Sequence, residues 1–285
     1  MKVDLHIHTT YSDGTDTPSE IVGFAKKIGL GAIAITDHDT VEGVDAAIEE
    51  GKRFDIEVLP GVEISSGGES EDIHILGYLL DRKNRTLNKK LQEMKNQRSD
   101  RVPKMLAKLK EHGMEIPLEL VKSIAGNGVI SRQHIGEAMC KKGYISSKQE
   151  AFSKYIGRGR SCYVPRAKML EGETISLIRS AGGIPVIAHP ALIKDIENLA
   201  KYIVKLKEQG LMGVEIWYPY DKVQNRIRSD FPGKEKFFKW LQQIVQKENL
   251  LCTGGSDYEG KNKPVKLGEV SIPYTYVERL KVKSM

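Results

Sequence analysis

Histidine and carboxylate side chains recur in this sequence beside short apolar segments. His6 and His8 lie two residues apart in an alternating segment near the start of the chain, and Asp13 follows them. Residues i and i+2 of a strand point to one side, about 6.6 Å apart along the backbone. Both imidazoles could therefore bind one cation through bonds of about 2.1 Å. This segment predicts ligands for a metal ion.

Side chains of the same types follow later apolar segments. The further candidate ligands are His38, Glu63, His74, His189, Asp257 and Glu259. Five of the seven histidines belong to the complete set, and only His112 and His134 do not. A mixed imidazole and carboxylate set without thiolate suits Mn²⁺, Fe²⁺ or Zn²⁺ better than Ca²⁺ or an iron–sulfur cluster.

Each motif alone also has an ordinary structural explanation. Asp13 in Ser12-Asp13-Gly14 would by default be a turn residue. His74 between two isoleucines could be a hydrogen-bonded histidine of the core, and His189 could simply end a strand before Pro190. The joint pattern favours a metal site, because nearly every predicted strand end carries a side chain that binds metals.

The elements that must position these residues alternate between strands and helices. Lys2–His8 alternates with a period of two, Gly31–Ile35 is continuously apolar, and Thr17–Glu20 has the pattern of a helix start. Repeated strand–helix units predict a parallel sheet. Their number favours a closed α/β barrel of about seven strands over an open sheet. In such barrels, active sites lie at the C-terminal ends of the strands.

The pattern changes in the middle of the chain. Residues 82–163 carry apolar residues at helical spacing, so we expect a mainly helical insertion there, with Pro103 kinking or restarting one helix. Residues 1–81 and 164–285 would then form the barrel. Shorter helices are expected near residues 117–124, 131–142 and 147–155.

The formal charge of +6 conceals a strong asymmetry along the chain. Residues 1–81 hold 5 basic and 17 acidic side chains, whereas residues 82–168 hold 21 basic and 7 acidic ones. We interpret the two blocks as two sides of one pocket, an acidic side that binds cations and a basic side that binds anions. A long RNA-binding surface is the less favoured use.

The composition excludes several classes of protein. With 40% hydrophobic and 29% charged residues, the chain has the composition of a soluble globular protein. It has no apolar run of about 18 residues and no secretory signal pattern. The three cysteines are odd in number and far apart, and match neither a disulfide framework nor a CxxC zinc site. We therefore expect a cytoplasmic protein.

Several motifs in order closely resemble the PHP (polymerase and histidinol phosphatase) superfamily. They are Asp4–Thr10 with Ser12–Gly14, Thr36–Thr40, Pro60–Ser65, His74–Gly77, Ala188–Pro190 and Gly255–Asp257. Within that superfamily, Ser131–His134 and Tyr163–Pro165 resemble the branch of nucleotide phosphoesterases. That branch contains 3′,5′-nucleoside bisphosphate phosphatase and a 5′–3′ exoribonuclease.

The resemblance implies a distorted (β/α)₇ barrel with two or three divalent metal ions, among which Mn²⁺ is the favoured metal and Fe²⁺ or Zn²⁺ are alternatives. It assigns His6, His8, Glu63 and Asp257 to the first ion. Glu63, His74 and His189 would bind the second, with Glu63 bridging, and Asp13 and His38 the third. The family usually supplies a further histidine to the third ion, at the position that Glu259 occupies here.

The implied reaction is hydrolysis of a nucleotide phosphate monoester, namely the 3′-phosphate of a nucleoside 3′,5′-bisphosphate. Water or hydroxide held by the metals would attack phosphorus in line, and His189 and His74 are the candidate catalytic residues. Arginine binds phosphate through two parallel hydrogen bonds, so a candidate set for the substrate's other phosphate is Arg132, His134, Arg158 and Arg160. Most basic residues of 82–110 are better explained as a solvated helix face.

Two alternative functions stay open at this stage. A nuclease of short oligoribonucleotides would use the basic insertion to follow a strand. A non-catalytic module could bind metal or nucleotide, as the change to Glu259 would permit. Neither a membrane nor a protein partner is indicated.

Overall fold

The computed structural model describes residues 1–67, 73–126, 130–165, 168–193, 198–223 and 227–284. Eight strands form one sheet in the order β7-β6-β5-β4-β3-β2-β1-β8. The strands are β1 Lys2–Ile7, β2 Leu30–Ile35, β3 Glu57–Ser66, β4 Ile73–Tyr78, β5 Ile184–Ile187, β6 Gly213–Trp217, β7 Leu251–Gly254 and β8 Ile272–Pro273.

The sheet curls until its two ends nearly meet. Ile7 at the end of β1 forms a parallel bridge with Tyr258, which follows β7. The His8 N–H donates to the Tyr258 carbonyl oxygen over 2.9 Å. The predicted barrel is therefore confirmed, with the two-residue β8 added antiparallel to β1.

One strand departs from the predicted parallel arrangement. β4 runs antiparallel to both β3 and β5. Only residues 67–72 separate Ser66 from Ile73, and a parallel crossover needs about a dozen residues or more. The resulting hairpin pairs Ser65 with His74. It thereby returns His74 to the end of the barrel at which β3 delivers Glu63.

Among the described residues, ten α-helices cover the sheet and form the middle of the chain. They are α1 Pro18–Lys27, α2 Val44–Phe54, α3 Arg85–Glu111, α4 Leu118–Ala125, α5 Arg132–Lys141, α6 Lys148–Ala151, α7 Glu171–Ser180, α8 Leu199–Glu208, α9 Lys234–Lys247 and α10 Thr275–Ser284. A π-helical turn, Phe152–Ile156, continues α6. Thr17 and Glu20 form the predicted capping box of α1.

Apolar side chains cover both faces of the sheet. Ile33 and Ile35 of β2 belong to a cluster shared with the outer helices, whereas Ala32 and Ala34 belong to a second cluster closed by α10. A strand buried on both faces reads as a continuous apolar run. The run Gly31–Ile35 is therefore explained by its position within the sheet.

The expected helices of residues 82–163 are present, and no strand occurs among the described residues of this segment. They share a separate apolar cluster that includes Val102, Ile135 and Cys162. α3 continues through Pro103, so the predicted restart is wrong, whereas the alternative of a kink there stays a prediction. Its first half packs in the barrel cluster through Leu87 and its second half in the helical one, so packing on both sides compensates for the missing hydrogen bond.

None of the described helices is both long and apolar enough to cross a membrane. The three cysteines are free thiols.

Candidate metal centre

The end of β1 contributes two buried imidazoles that face two carboxylates. The Nε2 atoms of His6 and His8 lie 3.4 and 3.2 Å from Glu63 Oε2. The same atoms lie 3.5 and 3.0 Å from Asp257 Oδ1. All four residues are almost completely buried, at 4% exposure or less. The structure thus brings together the four residues predicted for one ion.

The hydrogen bonding of this group is incomplete without a cation. His6 Nε2, His8 Nε2 and His38 Nδ1 are buried, yet none forms a hydrogen bond with any described residue. Buried polar atoms without a partner are rare in proteins and require an explanation. Imidazole nitrogens that converge on carboxylate oxygens are the donor set of Mn²⁺, Fe²⁺ or Zn²⁺. The residues therefore fit the implied metal.

The second oxygen of Glu63 faces another pair of imidazoles. Glu63 Oε1 lies 2.9 Å from His74 Nδ1 and 2.9 Å from His189 Nε2. These two nitrogens are 3.3 Å apart. Because its two oxygens serve different groups of donors, Glu63 has the geometry of a carboxylate that bridges two cations.

A third group lies on the other side of His8. Asp13 is 3.7 Å from His8 Nδ1 and 3.8 Å from His38 Nε2. The donor atoms of these three residues all lie within 4.8 Å of one another. Glu259 belongs to none of the groups that satisfy this limit among the described residues, and its Oε1 lies 2.6 Å from Lys263 Nζ instead.

The electrostatics of the cluster favour positive charge. Burial opposes protonation of His6, but Glu215, Asp257 and Glu63 outweigh it and raise the pKa of His6 to about 10. Burial lowers the pKa of His38 to about 3. Burial would raise the pKa of Glu63, but the surrounding histidines, His38 first, hold it well below its usual range. Carboxylates that draw protons onto buried imidazoles also attract divalent cations.

Buried acids behind the ligands orient them, and these acids are not among the residues predicted from the sequence. Glu215 Oε1 lies 2.9 Å from His6 Nδ1, and Glu215 Oε2 accepts the His189 backbone N–H over 2.7 Å. Asp37 accepts hydrogen bonds from Thr9 and Ser12 in the loop before Asp13. Carboxylates that bind the second nitrogen of a ligating histidine fix its tautomer and ring orientation.

A signal for Glu215 is present in the sequence. It is the only charged residue of β6, whose other residues are Gly213, Val214, Ile216 and Trp217. A fully buried carboxylate needs partners that compensate for its desolvation. A charged residue inside an otherwise apolar strand can therefore indicate the positioning layer of a polar site.

Backbone strain also concentrates at the centre. His189 has a φ of 30° and Asp257 a φ of 51°, both in the left-handed region that residues other than glycine rarely adopt. Such conformations persist only where the surrounding structure determines them, and they cluster at functional sites. Here each places a predicted ligand just beyond the end of its strand.

The helical segment contributes buried cations beside the acidic cluster. Arg98 of α3 donates to Asp39 Oδ2 over 2.6 Å, and Arg98 and Arg101 are 5% and 8% exposed. His134 is also buried, and its Nδ1 accepts the Ser131 N–H. Burial alone would raise the pKa of Asp13, but the charges of His38 and His8, and then those of Lys263 and Arg98, lower it. Neither arginine is predicted from the sequence, because their run of basic residues resembles a solvated face.

The other predicted phosphate ligands lie in different surroundings. The Arg132 guanidinium stands over the rings of Phe152 and Tyr163, with its carbon 5.4 Å from each centroid. Arg158 and Arg160 are exposed. Of the four predicted residues, His134 is the buried one. Burial lowers the pKa of its imidazole, and the negative charge of Asp13 opposes this effect only in part.

Comparison with known proteins identifies the family. The model of the PHP domain matches residues 4–252. The 5′-3′ exoribonuclease of Haemophilus influenzae is 36% identical over 217 residues, which are 75% of this chain and 78% of that protein. The phosphoribosyl 1,2-cyclic phosphate 1,2-diphosphodiesterase of Eggerthella lenta is 27% identical over 92% of this chain and 95% of its own. The 3′,5′-nucleoside bisphosphate phosphatase of Chromobacterium violaceum is 29% identical over 75% of this chain and 76% of that protein.

A solved structure extends the similarity to the whole fold. A protein of Bifidobacterium adolescentis, provisionally classed as a metal-dependent phosphoesterase, superposes with a TM-score of 0.87. It is 28% identical, and the match covers 99% of this chain and 96% of that one. The chain therefore belongs to the PHP domain family, and it is a phosphoester hydrolase of the metal-dependent type.

Proposed function

We propose that this protein hydrolyses a nucleotide phosphate ester, namely the 3′-phosphate of a nucleoside 3′,5′-bisphosphate. One observation carries the proposal. A buried cluster of imidazoles and carboxylates lies beside the buried side chains of Arg98 and His134, both of which interact electrostatically with Asp13. A substrate with two phosphates needs one site at which the first phosphate is hydrolysed and a second site that binds the other phosphate without reacting with it. The two kinds of side chain supply both.

The reacting phosphate would lie at the metal centre. His6, His8, Glu63 and Asp257 would hold one ion, Glu63, His74 and His189 a second, and Asp13 and His38 belong to the third predicted site. We infer that Mn²⁺ is the favoured metal, with Fe²⁺ or Zn²⁺ as alternatives. Divalent cations supply Lewis-acid chemistry: they neutralise charge on phosphoryl oxygens and make water a nucleophile near neutral pH.

His189 and His74 are our candidates for proton transfer to the leaving oxygen. Both rings contact Glu63 Oε1, and His189 is held from behind by Glu215. A general acid must lie within hydrogen-bond reach of the atom that it protonates. These rings occupy the edge of the cluster at which β4 begins and β5 ends, so either could reach the ester oxygen of a phosphate bound at the centre.

The second phosphate would bind to side chains of residues 82–163, which we propose as a helical cap on the barrel. His134 with Ser131 at the start of α5, together with Arg98, is the best-supported part of that pocket. The buried Ser131 hydroxyl makes no hydrogen bond to any described residue, so it is available to an anion. Arg132, Arg158 and Arg160 stay predicted ligands of this phosphate, at the rim of the pocket.

A 5′-3′ exoribonuclease is the second candidate function, favoured by the 36% identity to the Haemophilus influenzae enzyme of that name. The two substrates share most of their chemistry. A nucleoside 3′,5′-bisphosphate and a 5′-phosphorylated RNA both carry a 3′-phosphoester next to a 5′-phosphate. They differ only in whether a further nucleotide is attached beyond the 3′-phosphorus.

The test compares three substrates in the presence of Mn²⁺: adenosine 3′,5′-bisphosphate, a 5′-phosphorylated oligoribonucleotide and 4-nitrophenyl phosphate. We expect the highest kcat/KM for the bisphosphate. Preference for the oligoribonucleotide would instead assign the exoribonuclease function. Hydrolysis of none of the three, with metal bound at stoichiometry, would support a non-catalytic module.

Variants connect the activity to this site. His8→Ala and Glu63→Ala should each abolish hydrolysis, because each removes a donor of the buried cluster. His112→Ala is the matched control, since His112 is exposed at the end of α3. Near-normal rates in both cluster variants would reject the proposal.

A further inference from the structure

Lys263 lies within the acidic side of the metal centre. Its ammonium pairs with Asp257 Oδ2 and lies 2.6 Å from Glu259 Oε1. The side chains of the three residues are exposed by only 4 to 10%. A lysine is rarely buried unless it is paired, so these two carboxylates account for its position.

The loop that carries Lys263 is fixed against the loop that carries Asp13. Asn262 Nδ2 donates to the Asp13 carbonyl oxygen over 2.7 Å, and the Lys261 N–H donates to Thr15 Oγ1 over 3.0 Å. Gly260 has a φ of +63°, and a Cβ there would lie 1.9 Å from the Thr15 hydroxyl oxygen. The position of the loop that carries Lys263 therefore follows from these contacts and not only from the ion pairs of the lysine.

The lysine pairs with the carboxylate that the third cation would need beside Asp13 and His38. Glu259 stands at the position where the family usually supplies a histidine, yet among the described residues it does not join Asp13 and His38 in one donor group. One oxygen of Glu259 forms an ion pair with Lys263, and Asp257 contacts both Lys263 and His8. A divalent ion beside the ammonium would meet a like charge at close range.

We propose that the Lys263 ammonium takes the place of the third cation, so that this protein binds two exchangeable divalent ions and not three. Glu259 then anchors the lysine and is not a metal ligand, which replaces its predicted role. The inference rests on the metal centre proposed above, and it concerns the number of ions rather than the reaction.

The experiment counts bound metal directly. Protein stripped by a chelator is dialysed against Mn²⁺, and the bound manganese per chain is measured by elemental analysis. We expect two ions for the unaltered protein and three for Lys263→Met, in which the carboxylates lose their ammonium partner. Lys261→Met is the matched control, because Lys261 is an exposed lysine of the same loop, and it should bind two.

The outcomes separate this proposal from the proposed function. Three ions in the unaltered protein, or two in a folded Lys263→Met variant, would overturn the role of Lys263 and leave the metal centre intact. No bound manganese at all would reject the metal centre itself. If Lys263→Met fails to fold, Lys263→Gln retains a hydrogen-bond donor for the carboxylates without the charge, and it should also bind three.

Discussion

At the scale of single residues, Glu215 shows how a side chain that touches no substrate can control the centre. One of its oxygens contacts His6 and the other holds the backbone of His189. It therefore couples ligands from β1 and from the end of β5. Its pairing with His6 Nδ1 leaves Nε2 of the same ring directed at Glu63 and Asp257.

Replacing Glu215 should weaken metal binding without removing a ligand. We expect Glu215→Gln to lower the affinity for Mn²⁺ by roughly 10- to 100-fold, because the neutral amide holds the imidazole less firmly and makes it less basic. Competition with a fluorescent chelator measures the affinity. Glu235→Gln, at an exposed position of α9, is the control. Equal affinities of the two variants would contradict a positioning role for Glu215.

At the scale of elements, α3 joins the helical segment to the barrel. Its first half packs in the barrel cluster and its second half in the cluster of residues 102–164. Between them, Arg98 pairs with Asp39, which also accepts the Ser65 N–H over 2.8 Å. Asp39 lies next to His38 and has a φ of 55°. The helix thus supports the loop that carries a predicted ligand.

Breaking this ion pair should destabilise the fold. Arg98→Ala leaves the Asp39 carboxylate buried without its guanidinium, and loss of one partner of a buried pair costs about 3 kcal/mol or more of unfolding free energy. Urea denaturation followed by circular dichroism measures that loss. Lys104→Ala, at an exposed position of the same helix, should cost far less. A cost for Arg98→Ala below about 1 kcal/mol would show that the pair does not support the loop.

At the scale of the whole molecule, the metal centre ties distant parts of the chain together. The four residues of the first group come from β1, β3 and the loop after β7, and are separated by up to about 250 residues. Imidazole–carboxylate contacts join the four side chains of this group across the end of the barrel. Bound ions would therefore act as cross-links of the barrel end.

Metal loading should accordingly raise the stability of the complete domain. A ligand that binds only the folded state at 100 times its Kd adds about 2.7 kcal/mol to the unfolding free energy. We expect a higher Tm with Mn²⁺ than with a chelator, measured by calorimetry. The Glu63→Ala variant should lose most of this difference, because Glu63 lies in both main donor groups. An equal Tm with and without Mn²⁺ would argue against these cross-links.

Much of this protein follows from local patterns in its sequence. The alternation of strands and helices predicted the barrel, and the imidazoles and carboxylates at strand ends predicted a metal centre whose main residues do converge. Such patterns are readable because periodicity and helix caps depend on neighbouring residues. The motif resemblance pointed to the family, which the comparisons confirm.

Only the tertiary structure decided the surroundings of those residues. The direction of β4 depends on a reversal of the chain. The other features are contacts that only the fold brings about: the pairing of Glu215 with His6, the burial of Arg98 against Asp39, and the ion pairs of Lys263 with Asp257 and Glu259. A basic run has the same composition whether it faces solvent or a carboxylate. Its role is determined by burial and by the charges that the fold places opposite it.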